Sequence, residues 1–444
     1  MAGRLGAAGL CGGRASGRIR LSNPAVRPGI GKEQAVKGNR RQRCLLFLTS
    51  QSITLFGSTL TQMAIIWYIT AETGSGTWIS AFTAASYLPQ FLVSLAGGAW
   101  ADRWDRRRII IGADGTTAAL TGAMALAMPR IPREETVYAA LLLLSVCRSL
   151  GAGIQMPASG AALAELAPEG ERMRFNGIHA LMQSAAQLAA PGAAGIFLQA
   201  GSIRGALWAD VVTAAMGIGL LQGIHFPPPQ RAEKGTLAGD IKEGVKYVRS
   251  HALAGRLLAA YGLFIFFAVP GGFLDQLLVS RRFGDSYGYM AAAEALGFGG
   301  MVLGGGLVSL LGGSGGRKKM PEGQKEMPGG QATSGRPQKN LSLGLIGFGI
   351  LAGALGCAAS FPLYLLCMLA YGVCMTVVQT AVTTLIQEKT DPEVCGRVFG
   401  LMTAVYAVSL PLGMAVFGPL ADWVPLPGIM GCAGGCLVAV GIYF

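Results

Sequence analysis

The sequence predicts an all-α membrane protein of twelve transmembrane helices in two pseudo-symmetric six-helix halves, and three observations lead there. Of 444 residues, 52% are hydrophobic and only 13% are charged, about half the charge of an ordinary soluble domain. The apolar residues lie in long runs, each able to cross a bilayer, which takes about 20 residues at ~1.5 Å of rise apiece. The basic residues collect in alternate connections, so that one membrane face holds nearly all of them.

Twelve spans follow from the runs: 44–71, 77–101, 108–129, 137–160, 174–199, 203–224, 256–280, 287–312, 341–361, 362–387, 396–421 and 424–444. This divides the chain into a basic head (1–43), expected to be disordered, and an N-terminal half (44–224). A cytoplasmic linker (225–255) and a C-terminal half (256–444) follow, the latter interrupted by a flexible loop at 313–340. In the linker, Ile241, Val245 and Val248 recur at helical spacing among Lys242, Lys246 and Arg249, the pattern of an amphipathic helix on a membrane surface. The loop is rich in Gly, Lys and Pro and reads as a tether. The 67 glycines suit membrane helices, which associate by close backbone approach. Gly297, Gly299, Gly300, Gly304, Gly305 and Gly306 form one such small-residue surface.

With the N-terminus inside, 30 of the 36 Lys and Arg fall on the cytoplasmic face, five fall outside, and Arg148 lies within a span. Both termini are therefore expected in the cytoplasm, with the chain in the cell membrane. Arg281 and Arg282, on an outside turn, run against the pattern. The net charge of +13 reflects this topology and does not call for nucleic-acid binding.

An internal repeat supports two halves related by an axis along the membrane normal. Pro168-Glu169, Arg174 and Pro191 at span five recur as Pro392-Glu393, Arg397 and Pro411 at span eleven. Gly418-Pro419-Leu420-Ala421-Asp422 echoes Gly98 to Asp102 at the other membrane face.

The turn between spans two and three reads Gly98-Ala99-Trp100-Ala101-Asp102-Arg103-Trp104-Asp105-Arg106-Arg107-Arg108. Its pattern, G-x-x-x-D-R-x-x-R-R, resembles the loop between helices two and three of the major facilitator superfamily. Ser50-Gln51 to Gly57, Ala64-Ile65-Ile66-Trp67, Met156-Pro157-Ala158, Arg174 to Asn176 and Gln387 to Val398 extend the likeness. They are similar to the branch that holds macrolide efflux proteins and the enterobactin exporter. The resemblance implies the major facilitator fold and secondary transport.

It also implies roles for the turn. Asp102 would sit at the cytoplasmic start of span eleven, by Gly396 and Arg397, where a helix N-terminus favours a carboxylate by up to ~1 kcal/mol. Arg103, Arg106 and Arg107 would bridge neighbouring helix ends, and the whole would latch the cytoplasmic side shut. A solvated charge cluster explains the arginines but neither Gly98 nor Asp102. In span five, Ala190-Pro191-Gly192-Ala193-Ala194-Gly195 keeps Pro191 and Gly195 of the antiporters' glycine-rich hinge and departs from it elsewhere.

Ionisable groups inside spans are costly, so each is a candidate for proton coupling or substrate contact: Asp114, Arg148, Asp210, Asp275 and Glu294. Structural ion pairs are the competing reading. Among the polar residues of the spans, Gln62, Tyr261 and Gln379, with Arg148, stand in spans one, seven, ten and four, which line the cavity in this fold.

Enzymatic chemistry finds no support. The glycine-rich stretch at 312–318 lacks the Gly-Lys-Ser/Thr of a phosphate loop. The nine cysteines show no C-x-x-C spacing and the three histidines are scattered, so neither metal nor cofactor is expected. The expected protein is a monomeric secondary transporter that exports small amphipathic molecules, drugs or antibiotics first, in exchange for protons. A siderophore exporter, a lysophospholipid flippase and a transporter-like sensor are the alternatives.

Overall fold

The computed structural model describes residues 30–103, 105–168, 171–224, 226, 246–284, 286–313, 337–390 and 392–444; the side chains of 30–39, 95–103, 173, 309–313, 337, 392–393 and 396 are outside that description. Twelve long helices and one short one make up the described spans. The first half comprises α1 (Ile30–Thr73), α2 (Gly76–Arg103), α3 (Arg106–Ala127), α4 (Glu134–Leu166), α5 (Arg172–Gln199) and α6 (Ile203–Gln222). The second comprises α7 (Ala252–Gly272), α8 (Asp275–Phe283), α9 (Tyr287–Gly313), α10 (Pro337–Cys357), α11 (Phe361–Lys389), α12 (Pro392–Trp423) and α13 (Leu426–Tyr443). The pair α7 and α8 together form span seven, so the spans number twelve. Among the described residues ten of these are long and strongly apolar; α2 and α5, at 28 residues each, are also long enough to cross.

Two features depart from the expected layout. Residues 30–43, assigned above to a disordered head, continue α1 without interruption. They are rich in Lys, Gln, Arg and Ala, all good helix formers, and Arg41 is tied to Glu171 at the foot of α5. Span seven, expected as one helix over 256–280, is broken at Phe273–Leu274. Pro270 lacks an N–H and its ring crowds the preceding turn, and Gly271-Gly272 adds two poor helix formers. The Phe273 and Leu274 amides both turn back to the Val269 carbonyl, at 2.9 and 3.4 Å. Such a break survives at membrane depth only where protein or a cavity covers it.

The packing repeats with a shift of six spans. In the first half α2 packs on α4, α3 on α6, and α1 on α5 and α6; in the second, α9 packs on α11, α10 on α13, and α7 on α12 and α13. The halves meet along α2 with α12 and along α5 with α9, again a symmetric pair of contacts. Glycine permits the closest of these approaches. A side chain on Gly300 would strike the Leu369 backbone, one on Gly372 the Gly297 carbonyl, and one on Gly349 or Gly434 the other's carbonyl. Of the small-residue surface on α9, Gly297, Gly300 and Gly304 face α11, while Gly305 and Gly306 look onto open space.

Many large apolar side chains lie on the surface. Leu181 and Ile196 are 71% exposed and Leu343 67%, as fits a surface covered by lipid instead of water. An even number of spans puts both chain ends on one face, called here the chain-end face, with the turn at Gly74 on the opposite face. Gly372→Ala is expected to cost about 1–3 kcal/mol through overpacking, whereas Gly305→Ala is expected to leave stability unchanged. Thermal unfolding of the purified variants in detergent checks both.

Candidate functional site

A cavity of about 310 Å³ lies between the two halves. Helices α1 and α2 form one wall, and α7 with α8, α9, α11 and α12 form the other. Its surface is aromatic and thioether-rich: Tyr87, Phe298, Tyr371 and Tyr406 stand with Met301, Met368 and Met375. Such a lining adapts to apolar shapes while phenol groups and amides fix orientation. Gln62 and Gln379 supply amides from opposite halves.

Two carboxylates reach this cavity, and none of the residues lining it is basic. Asp275 is placed there by the break in span seven, as the first residue of α8; it is only 1% exposed. Glu294 reaches it from α9, stands within electrostatic range of Asp275 and is hydrogen-bonded by the Gln276 side chain. Asp275 Oδ1, Gln276 Oε1 and the Tyr364 hydroxyl are buried without a hydrogen-bond partner. Buried polar atoms are normally satisfied, and two neighbouring carboxylates in a dry site cannot both stay charged without a counter-charge.

The first half treats its buried charges differently. Arg148 on α4 is ion-paired with Asp210 on α6, at 9% and 2% side-chain exposure. Its guanidinium also donates to the Thr121 hydroxyl at 2.7 Å and the Ser58 carbonyl at 3.3 Å. Asp114, on α3, is 4% exposed and lines a small polar pocket shared with Arg148.

The halves are sewn together at the opposite face by one carboxylate. Asp422, at the end of α12, accepts from the Gly76 and Thr77 amides at 2.6 and 3.0 Å, and from the Ser75 and Thr77 hydroxyls at 3.0 and 2.6 Å. It thus caps α2, a helix of the other half, where free amides and the helix dipole favour negative charge. Arg281 at the end of α8 lies 3.5 Å from the same carboxylate and donates to the Ala421 and Gly74 carbonyls at 2.7 Å each. Gly76 and Gly418 touch backbone to backbone beneath it.

A family model described as Major Facilitator Superfamily matches residues 47–414. The chain belongs to the major facilitator superfamily. Macrolide efflux protein A of Streptococcus pyogenes is 25% identical over 380 residues, covering 84% of this chain and 87% of that protein. Multidrug efflux pump Tap of Mycobacterium tuberculosis (strain ATCC 25618 / H37Rv) is 23% identical over 403 residues, covering 87% and 89%. In fold, the chain resembles a D-xylose-proton symporter at a TM-score of 0.64 and 16% identity, with 89% of this chain and 96% of that one covered. As a member of this superfamily the protein is a transporter and not an enzyme.

Against this frame the residues singled out from sequence separate into groups. Gln62, Asp275, Glu294 and Gln379 line the central cavity. Arg148, Asp114 and Asp210 form the separate cluster of the first half, and Tyr261, 7% exposed, packs in the apolar core. The side chains of Gly98, Asp102 and Arg103 lie outside the described residues, although the α2 backbone runs through them. Arg106 pairs with Glu165 of α4, and Arg107 donates to the Gln222 carbonyl of α6 at 2.5 Å, so both tie α3 to neighbours within the first half. Asp105 caps α3, accepting from the Arg107 amide at 3.0 Å. Pro191 lies within α5; Gly195 lets α5 approach Ala291 of α9. Gly396 and Arg397 lie in the first turns of α12.

Sequence reasoning missed the aromatic and methionine walls, because apolar residues in a membrane helix look alike whether they face lipid, a neighbour or a cavity. It also missed Asp422 and Arg281 as partners. The echo of the Asp102 turn at Gly418–Asp422 and the anomalous outside arginines were the signals available.

Two outcomes follow for these contacts. Arg148→Met, which strands two buried acids, is expected to cost about 3–5 kcal/mol, read as a large fall in Tm of the purified protein. Asp422→Ala is expected to part the halves at the opposite face, seen as longer distances between spin labels at the exposed positions Glu72→Cys and Trp423→Cys.

Proposed function

We propose that this transporter exports small amphipathic molecules of drug or antibiotic size, in exchange for protons, by rocking its two halves about the central cavity. The observation that carries the reading is the combination in that cavity of a Met and aromatic lining with a carboxylate pair that no lining residue neutralises. Apolar walls desolvate the body of an amphipathic substrate, and the charge deficit is met by a proton or by the substrate's cationic group. Exchange follows: a cationic group arriving at Asp275 and Glu294 makes bound protons redundant, and a returning proton releases the substrate.

The distribution of basic residues supports a topology with both chain ends in the cytoplasm. The Asp422 seam is then the extracellular gate, and the turn at Asp102, whose side chains lie outside the described residues, is assigned to the cytoplasmic gate by the family resemblance alone. Rocking requires that each seam be strong enough to hold and weak enough to break. A carboxylate on a helix N-terminus, worth about 0.3–1 kcal/mol and up to ~2 when partly buried, is of that order. The names borne by relatives at 25% and 23% identity point to efflux as well. A siderophore exporter is disfavoured by the cavity, because an anionic chelator would meet two carboxylates and no basic side chain.

The test is efflux from cells that express the chain, using a cationic dye and a macrolide, with and without a protonophore. Protonophore-sensitive export is expected in the wild type and a loss of at least tenfold in Glu294→Gln and in Asp275→Asn. Export that survives both substitutions unchanged would remove these acids from the mechanism. Absence of any dye or macrolide movement in the wild type would move a narrower substrate ahead of drug efflux.

A further inference from the structure

The first half holds a second polar space that the export reading does not use. It is a pocket of about 70 Å³, bounded by α1, α2, α3 and α4 and lined by Ser86, Asp114, Ser145, Arg148 and Ser149 among others. That is room for a small ion with water, since a water molecule occupies about 30 Å³ in the liquid. Gln62 borders both this pocket and the central cavity, so the two share a wall.

The pocket presents acceptors. The hydroxyl hydrogens of Ser86, Ser145 and Ser149 are all given to backbone carbonyls, those of Phe82, Leu141 and Ser86, at 2.9, 3.0 and 2.7 Å. What remains for the pocket is their lone pairs, save the one on Ser149 Oγ that accepts from the Gln90 amide at 2.8 Å. Asp114 Oδ2 is buried here without a hydrogen-bond partner, on a residue only 4% exposed.

Charge makes the same demand. From α1 and α2 the groups facing the pocket are Ser58, Gln62, Ser86 and Gln90, all neutral. From α3 comes Asp114, from α4 Arg148, and behind Arg148 stands Asp210 of α6. Arg148 has committed its guanidinium to Asp210, Thr121 and Ser58. Two acids and one arginine leave one negative charge, buried, on Asp114. An uncompensated ion in such a place is far costlier than a paired one.

We propose that the Asp114 pocket binds one monovalent cation, a proton or a sodium ion, at a site separate from the central cavity. The site is defined by its own geometry and does not rest on the identity of the exported substrate. The Gln62 wall gives it a route to sense the cavity, and a cation bound at Asp114 would be felt by Arg148 and Asp210 on the neighbouring helices.

Infrared difference spectra of the purified full chain test this directly. The wild type is compared with Asp114→Asn, in sodium-free choline buffer at neutral pH, so that bands from Asp275 and Glu294 cancel. A protonated-carboxyl band present in the wild type and lost in Asp114→Asn identifies the proton. If instead Asp114 is ionised, a rise in Tm on replacing choline by sodium, absent in Asp114→Asn, identifies sodium. An ionised Asp114 with no sodium-dependent shift overturns the proposal. Asp210→Asn provides a second variant that leaves Asp114 in place. It cancels the excess negative charge, so the band or the sodium response is expected to disappear; persistence in a folded Asp210→Asn protein overturns the charge argument.

Discussion

The architecture depends on how two independently packed halves are held together without being fused. Lipid gives apolar helices no reason to prefer each other over acyl chains, so the halves adhere only where backbones come close or polar groups meet. At the opposite face both conditions are met at one point. Gly76 and Gly418 bring α2 and α12 into contact, and Asp422 then reaches four donors at the start of α2. Arg281 adds charge from α8 and clasps carbonyls on both sides of the seam. Helix α8 exists as a separate element because span seven breaks, so the same break that brings Asp275 to the cavity also leads to Arg281, which ties the two halves at this seam.

Charge within the membrane is handled in two ways. In the first half, Arg148 and Asp210 neutralise each other, and the guanidinium is held by a hydroxyl of α3 and a carbonyl of α1. In the second half, Asp275 and Glu294 both reach a cavity whose lining offers no basic partner. A satisfied pair contributes to the scaffold; an unsatisfied one is the costly arrangement on which the proposed exchange rests. Asp114 stands between these cases, beside a neutral ion pair yet left with its own charge.

Much of this was legible in the sequence. Hydropathic runs are long in a membrane protein and their ends are marked by charge, so the twelve helices lie where the runs do. The depth of each acid within its span could be read the same way. The break in span seven was not foreseen although Pro270-Gly271-Gly272 was visible, because prolines at 89, 157, 191 and 411 sit inside helices that continue unbroken. What a proline does depends on whether neighbours satisfy the freed carbonyls.

By itself, then, the sequence determined the membrane class, the number of spans, the division into halves and the set of costly charges, because these depend on local composition and its period. Only the tertiary structure decided which charges compensate each other. Arg148 and Asp210 are 62 residues apart and Arg281 and Asp422 are 141 apart, distances across which no periodicity carries information. Compensation is a property of pairs in space, and it is what separates the paired Asp210 from the unpaired Asp114 and Asp275.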